Sequence, residues 1–277
     1  MSQKRTTFVP CLVGRPRFTL ASQVHIRTPK ETQVRLLPLF ALVAFATALP
    51  AAAPRDSFHW SGKVAEGQIV EIRGINGSIH AEPASTDRVE VIAHKTALND
   101  DPSDIQVKVV ERDGGVTVCA VGDSGECLPT SDVSVDFTVR VPRGVRFVAR
   151  TVNGLVEANS LEADTEAHTV NGNVRVSTGG AAQVDTVNGS IVASVGKITS
   201  ASKFSTVNGG ITVTLSNSVA ARVHAETVNG RIRTEFPLAL RGAFPARHAD
   251  GAIGRGGPEL KIATVNGSIR LKHKKPV

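Results

Sequence analysis

Residue types that could do chemistry are present, but their spacing serves no reaction. Five histidines of the body, His80, His94, His168, His224 and His248, stand scattered. None has the His-x-His or His-Glu-x-x-His spacing that sets two metal ligands on one face. Asp123-Ser124-Gly125 offers a hydroxyl without a partner histidine at motif spacing. Asp113-Gly114-Gly115 and Gly254-Arg255-Gly256-Gly257 lack the Lys-Ser/Thr that completes a phosphate loop, and read as solvated turns. No catalytic residue, cofactor site or metal site is expected. One pair does promise covalent chemistry. Cys119 and Cys127 flank a Gly-Asp-Ser-Gly turn in VTVCAVGDSGECLPT. In an oxidising compartment such a pair closes a disulfide loop, contributing about 2–3 kcal/mol in the chain-entropy model. A metal at these thiols would need two further ligands, and the loop holds no histidine.

The compartment is legible upstream. Residues 36–49, LLPLFALVAFATAL, form an uncharged apolar run behind Arg35. That is shorter than the roughly 20 residues that span a bilayer and suits a signal-peptide core. Ala46-Thr47-Ala48 is a small-residue cleavage site, so residues 1–48, with Cys11, are expected to be removed and the mature chain to begin at Leu49. An uncleaved membrane anchor is the alternative. The 35 residues before the apolar run are long for a signal. Met1 is the only methionine, so a shorter product would start at a non-Met codon, such as that of Val24. No cysteine follows the apolar run to take a lipid.

Composition narrows the partners. The 277 residues carry a net charge of +7. Residues 1–53 hold seven basic groups and one acid, which leaves 25 basic against 24 acidic side chains beyond them, or +1. A body so balanced has no basic excess for phosphate contacts, and no nucleic-acid partner is expected. Tyrosine is absent and Trp60 is the only tryptophan, so neither a base-stacking platform nor an aromatic sugar site is expected. After signal cleavage no stable membrane insertion is expected. Frequent Val and Thr with 25 glycines is the composition of strands and turns.

The elements that must position these residues repeat. Thr-Val-Asn-Gly occurs six times, from Thr151, Thr169, Thr186, Thr206, Thr227 and Thr264, and Gly74-Ile75-Asn76-Gly77 is a looser copy. Four residues after each Val comes Val156, Val174, Ile191, Ile211, Ile232 or Ile269, and three before it Ala149, Ala167, Val184, Phe204, Ala225 or Ile262. Alternation on both sides of Asn-Gly is strand-like, and Asn-Gly takes the φ > 0 conformations of a tight turn. Two all-β architectures fit. One is an antiparallel β-meander, since Asn-Gly is the strongest hairpin signal. The other is a single-stranded β-solenoid (β-helix), each copy one coil about 4.8 Å above the last. Identity of the four residues favours the solenoid, because a stacked asparagine ladder rewards repetition. The expected turn ladder is Asn76, Gly77, Asn153, Gly154, Asn171, Gly172, Asn188, Gly189, Asn208, Gly209, Asn229, Gly230, Asn266 and Gly267, ending at Asn266.

TVNG copies behind an export signal, with VSVDFTVRVPRGVRF leading in, resemble the bacterial putative-adhesin family of β-strand-repeat domains of unknown function, including head-GIN domains (compare Gly74-Ile75-Asn76-Gly77). The resemblance spans about residues 57–275. It implies an exported right-handed β-solenoid without known catalytic residues.

The expected organisation is therefore a signal at 1–48, an N-terminal β region at 57–145 that caps the stack, and TVNG repeats at 146–277. Residues 234–260, rich in Gly and Pro, should leave the repeats as a loop that covers the core with Phe236, Leu238, Leu240 and Phe244, or binds a partner. Enzymes on β-helices need carboxylates converging at fixed height. The column two before Val (Arg150, His168, Asp185, Ser205, Glu226, Ala263) and the column after Gly (Leu155, Asn173, Ser190, Gly210, Arg231, Ser268) show no paired acids. The regular threonine column raises an ice- or crystal-binding face, for which a second such column is missing; threonine as a β-former beside the turn is the simpler reading. The expectation is an exported, non-enzymatic adhesin-like module, periplasmic or at the cell surface, that binds a protein or cell-envelope component. A glycan-active β-helix lyase or hydrolase is the alternative.

Overall fold

The computed structural model describes residues 56–97, 101–122, 125, 127, 133–242 and 247–275. The expected signal at 1–48, Leu49, Asp123-Ser124 and Phe244 lie outside the described residues. Among the described residues no helix is long and apolar enough to cross a membrane.

Alternation of small β-branched residues with polar ones gives strands throughout. The first seven are β1 (Ser57–Lys63), β2 (Ile69–Arg73), β3 (Ile79–Pro83), β4 (Arg88–Thr96), β5 (Gln106–Arg112), β6 (Gly115–Val121) and β7 (Ser134–Val141). The repeats supply β8 (Arg146–Arg150), β9 (Val156–Leu161), β10 (Thr165–His168), β11 (Val174–Thr178), β12 (Ala182–Asn188), β13 (Ile191–Val195), β14 (Ser202–Asn208), β15 (Ile211–Leu215), β16 (Ala221–Asn229) and β17 (Ile232–Thr234). Then follow β18 (Ala239–Arg241), β19 (Arg247–Ile253), β20 (Glu259–Asn266) and β21 (Ile269–His273).

They form two mixed sheets. The ten-stranded sheet runs β1-β4-β7-β3-β9-β11-β13-β15-β21-β17, and the eleven-stranded sheet β18-β19-β16-β20-β14-β12-β10-β8-β2-β6-β5. Strands on either side of each Thr-Val-Asn-Gly lie in different sheets, so they do not pair with each other as a meander requires. Equivalent strands of neighbouring repeats pair parallel and in register: Val174 with Ile191, Ile191 with Ile211, Ile211 with Ile269. The recurring apolar positions therefore stack on one another inside. Ile191, Ile211, Ile269, Val184, Phe204 and Ile262 are fully buried, each worth about 1.5–3 kcal/mol in transfer terms.

Spatial order departs from chain order at both ends: β2 and β3 lie between β6/β7 and β8/β9. The last repeat, β20 and β21, lies between β14/β15 and β16/β17. Ile262 thereby pairs with Phe204 on one side and Ala225 on the other.

Parallel pairing would leave open edges; antiparallel strands cover three of the four, while the ten-stranded sheet ends on β17, parallel to β21. At one end β5 pairs with β6, and β1 and β4 extend beyond β7. At the other, β19 pairs antiparallel with β16 and β18 with β19. Where a loop is expected at 234–260, the chain thus builds two further strands. Phe236 is buried there, Leu238 packs against the core, and Leu240 is exposed.

Candidate functional site

The repeated corner accounts for its four residues one by one. Each asparagine donates Nδ2–H to the Oδ1 of the asparagine beside it: Asn153 to Asn76 (2.9 Å), Asn171 to Asn153, Asn188 to Asn171, Asn208 to Asn188, Asn266 to Asn208 and Asn229 to Asn266 (2.8 Å each). The ladder runs along the surface rather than in the interior. It ends at Asn229, not at Asn266, because the last repeat is inserted. Each threonine is buried and donates its hydroxyl to a glycine carbonyl of the adjacent repeat, as Thr206 does to Gly189 (2.9 Å) and Thr264 to Gly209 (2.9 Å). A threonine column turned inward presents no face to ice or a crystal.

The glycines differ from the expectation for a tight turn. Of the seven in the ladder, only Gly77 has positive φ. The other six are needed for space: a Cβ at Gly172 would overlap the carbonyl of Gly154, and one at Gly189 that of Gly172. Asparagine likewise keeps negative φ at every copy. The valines point out. Val170, Val187, Val207, Val265 and Val228 line the corner as an exposed apolar stripe.

Cys119 and Cys127 are joined by a disulfide, with Cα atoms 5.5 Å apart. It ties the end of β6 beside Lys108 of β5, with Val121 bridging Cys127 antiparallel.

Along the outer face of the eleven-stranded sheet, charges on β2, β8, β10, β12 and β14 pair with one another, although His168 Nε2 is buried without a hydrogen bond. Arg73 and Arg150 both reach Glu71 Oε1 (2.9 and 3.0 Å), to which Thr117 adds a hydroxyl (3.2 Å, on Oε2). Burial pushes the Glu71 pKa up, and these donors outweigh it, holding the carboxyl below its usual range. Further along, Lys203 (2.8 Å) and Ser205 (2.6 Å) donate to Asp185 Oδ1, and His168 Nδ1 lies 3.5 Å from its other oxygen. Burial again raises the pKa, and His168, Lys203 and Ser205 together drive it far below the carboxylate norm.

The far end is different. Arg231, Arg233, Arg247 and Arg270, with Asn229, Gly230 and Ser268, line a cavity of about 550 Å³. Arg233 and Arg270 are in-register neighbours on β17 and β21, an arrangement that repels in the absence of a counterion. Arg247 Nε is buried with no hydrogen-bond partner. Among the described residues none of the four makes an ion pair. Averaging charge over the body hides this cluster; the pair Arg231-x-Arg233, repeated one column on by Arg270, was its only trace in the sequence. Two of the histidines taken as scattered also meet here: the rings of His224 and His248 lie 6.4 Å apart. His80 and His168 instead lie beside separate acids, Glu157 and Asp185.

No family model matches the chain, and no curated protein matches it. Among solved structures, it is similar to a putative cell adhesion protein from Clostridium sporogenes at 12% identity, covering 79% of this chain and 100% of that one, with a TM-score of 0.38. A putative adhesin from Bacteroides fragilis gives 14% identity over 80% of this chain and 98% of that one, with a TM-score of 0.37. One from Parabacteroides distasonis gives 12% identity over 79% and 97%, with a TM-score of 0.20. The chain's own side chains decide what it can bind.

Proposed function

We propose that this chain is an exported, non-enzymatic β-solenoid whose repeats are a scaffold and whose C-terminal end binds an anionic polymer of the cell envelope. The solenoid reading is supported by parallel, in-register pairing of successive repeats across two sheets. Its right hand follows from the rule for crossovers between parallel strands of one sheet. Export is supported by the apolar run before Ala48 and by the disulfide, which persists in oxidising compartments.

The observation that carries the binding role is the convergence of Arg231, Arg233, Arg247 and Arg270 on one cavity without acid partners. Guanidinium groups take carboxylate, phosphate or sulfate in bidentate geometry, and a row of them suits a repeating polyanion better than a single small acid. The test is binding of purified protein to polygalacturonate and polyglycerol phosphate, with dextran as the neutral control. Binding to a polyanion that weakens with salt and is lost in an Arg247→Ala/Arg270→Ala variant is expected. Equal binding of dextran, or an unaffected variant, would refute the reading. Release of reducing ends or unsaturated uronates during incubation would instead establish the glycan-active enzyme.

A further inference from the structure

We propose that His224, Glu226 and His248 form a divalent transition-metal site of the zinc type, with Asp250 orienting His224. The proposal stands apart from the arginine cavity and does not depend on it.

The site comes from two short segments of the same pattern, His224-Ala225-Glu226 on β16 and His248-Ala249-Asp250 on β19. The two strands pair antiparallel, so His224 faces Asp250, Ala225 faces Ala249 and Glu226 faces His248. Both alanines are fully buried, which turns the four functional side chains to the opposite, outer face. One ligand atom from each of His224, Glu226 and His248 lies within 4.8 Å of the others. Ligand atoms around a tetrahedral zinc with bonds of ~2.0–2.1 Å are about 3.3 Å apart. All three side chains are partly exposed, with 39% and 40% exposure for His224 and Glu226, so small rotamer changes close that gap.

Asp250 makes the set more than a chance meeting of ions. Its Oδ1 lies 2.5 Å from His224 Nδ1. A carboxylate there accepts from Nδ1–H and so turns Nε2 toward Glu226, 3.7 Å from its Oε2. A carboxylate behind a histidine that leads with its other nitrogen is the usual outer support of a bound zinc. With neutral imidazoles the four side chains carry two negative charges, and Lys261, beside His224 in register, and Arg241, beside His248, are the nearest cations by strand order. Two imidazoles and one carboxylate select zinc-like ions over calcium or magnesium, which prefer all-oxygen shells. Three protein ligands leave a fourth position open. Glu226 and His248 also line a groove of about 310 Å³ walled by Val207, Val228 and Val265, so a ligand at that position would lie against the apolar stripe.

The experiment titrates the full chain, tag-free and with its disulfide intact, with Zn²⁺ against a chromophoric chelator, and with Co²⁺ for its visible spectrum. One Zn²⁺ per chain is expected, with a tetrahedral or five-coordinate cobalt spectrum and no competition from millimolar Ca²⁺. His248→Gln should weaken Zn²⁺ at least about tenfold, and Asp250→Asn by about tenfold through loss of the outer support. His94→Gln, a distant control, should bind as the unaltered protein does. Because a metal here links β16 to β19, Zn²⁺ should raise the melting temperature of the unaltered chain and not that of His248→Gln. Should His248→Gln fail to fold in the absence of metal, Glu226→Gln, at a surface position, gives the same reading. No zinc binding by the unaltered chain, or unchanged affinity and stoichiometry in both His248→Gln and Glu226→Gln, would overturn the site.

Discussion

The repeats around Asn188 and those around Asn229 share a tetrapeptide and its hydrogen bonds but differ in how their charged side chains are met. In the middle, every group on the corner is matched by the next repeat: asparagine to asparagine, threonine hydroxyl to glycine carbonyl. Charges on the adjoining sheet face are also paired, through Glu71 and Asp185, although His168 Nε2 is buried without a hydrogen bond. At the end, four arginines gather without acids, and two histidines and two carboxylates crowd one face. Interior repeats meet most of their polar needs by stacking. Among the described residues the four arginines at the end make no ion pair, and that is where a ligand gains something by arriving.

If the middle is built by mutual contact, Gly189→Ala should cause the largest loss. Its Cβ would overlap the backbone of Gly172, which cannot move aside as a side chain could. About 3 kcal/mol in urea unfolding is expected. Gly114→Ala, where a Cβ meets nothing, should stay within about 0.5 kcal/mol of the unaltered protein. Comparable losses at both positions would mean the repeats are not in close backbone contact. Next comes Thr206→Val, which keeps the shape and removes the donor to Gly189; about 1–2 kcal/mol is expected, read by the same titration.

Smaller effects test where the column ends. Asn188→Ala removes two ladder bonds and Asn229→Ala one. Since the ladder is exposed, about 1 and 0.5 kcal/mol are expected, with Asn266→Ala matching Asn188→Ala. If Asn266→Ala matched Asn229→Ala instead, the inserted position of the last repeat would be wrong. The smallest effect at neutral pH belongs to charge. Arg233→Ala should leave stability within about 0.5 kcal/mol, because that side chain makes no ion pair among the described residues. Asp185 should contribute at neutral pH and lose its contribution in acid. Its folded pKa is depressed, so its contribution is present above the unfolded value near 3.8 and is lost as pH falls through the folded one. Thermal melts between pH 5 and 2 should therefore fall less steeply for Asp185→Asn than for the unaltered chain.

Much of the middle was legible in the sequence. Residues 57–145 carry β1 to β7. The apolar positions before and after each Val are buried as the pattern required. Glycine's reason was misread, because spacing along one chain does not show a backbone passing close by in another layer. Spatial order was invisible for the same kind of reason. A step of 37 residues between Asn229 and Asn266 looks like an insertion, and nothing local records that the chain turns back to fill a vacant layer. The His-Ala-Glu and His-Ala-Asp segments lie 24 residues apart. Only the antiparallel pairing of β16 with β19, built from the stretch expected to be a loop, gives them a common face.

The late insertion of β20 and β21 has a consequence in time. A chain made from its N-terminus can add β8 through β15 one repeat after another, each finding its neighbour ready. When β16 emerges, its neighbour does not yet exist, and the upper edges of β14 and β15 stay bare. At synthesis rates of about 5–20 residues per second, the wait from Asn229 to Asn266 is roughly 2–7 s. During it both sides of a layer-wide slot show unpaired backbone, the template on which strands of other molecules add. The last strands act as a keystone. A chain stopped before Glu259 should lose the arginine cavity, of which Arg270 and Ser268 are part, and it should associate through the open slot.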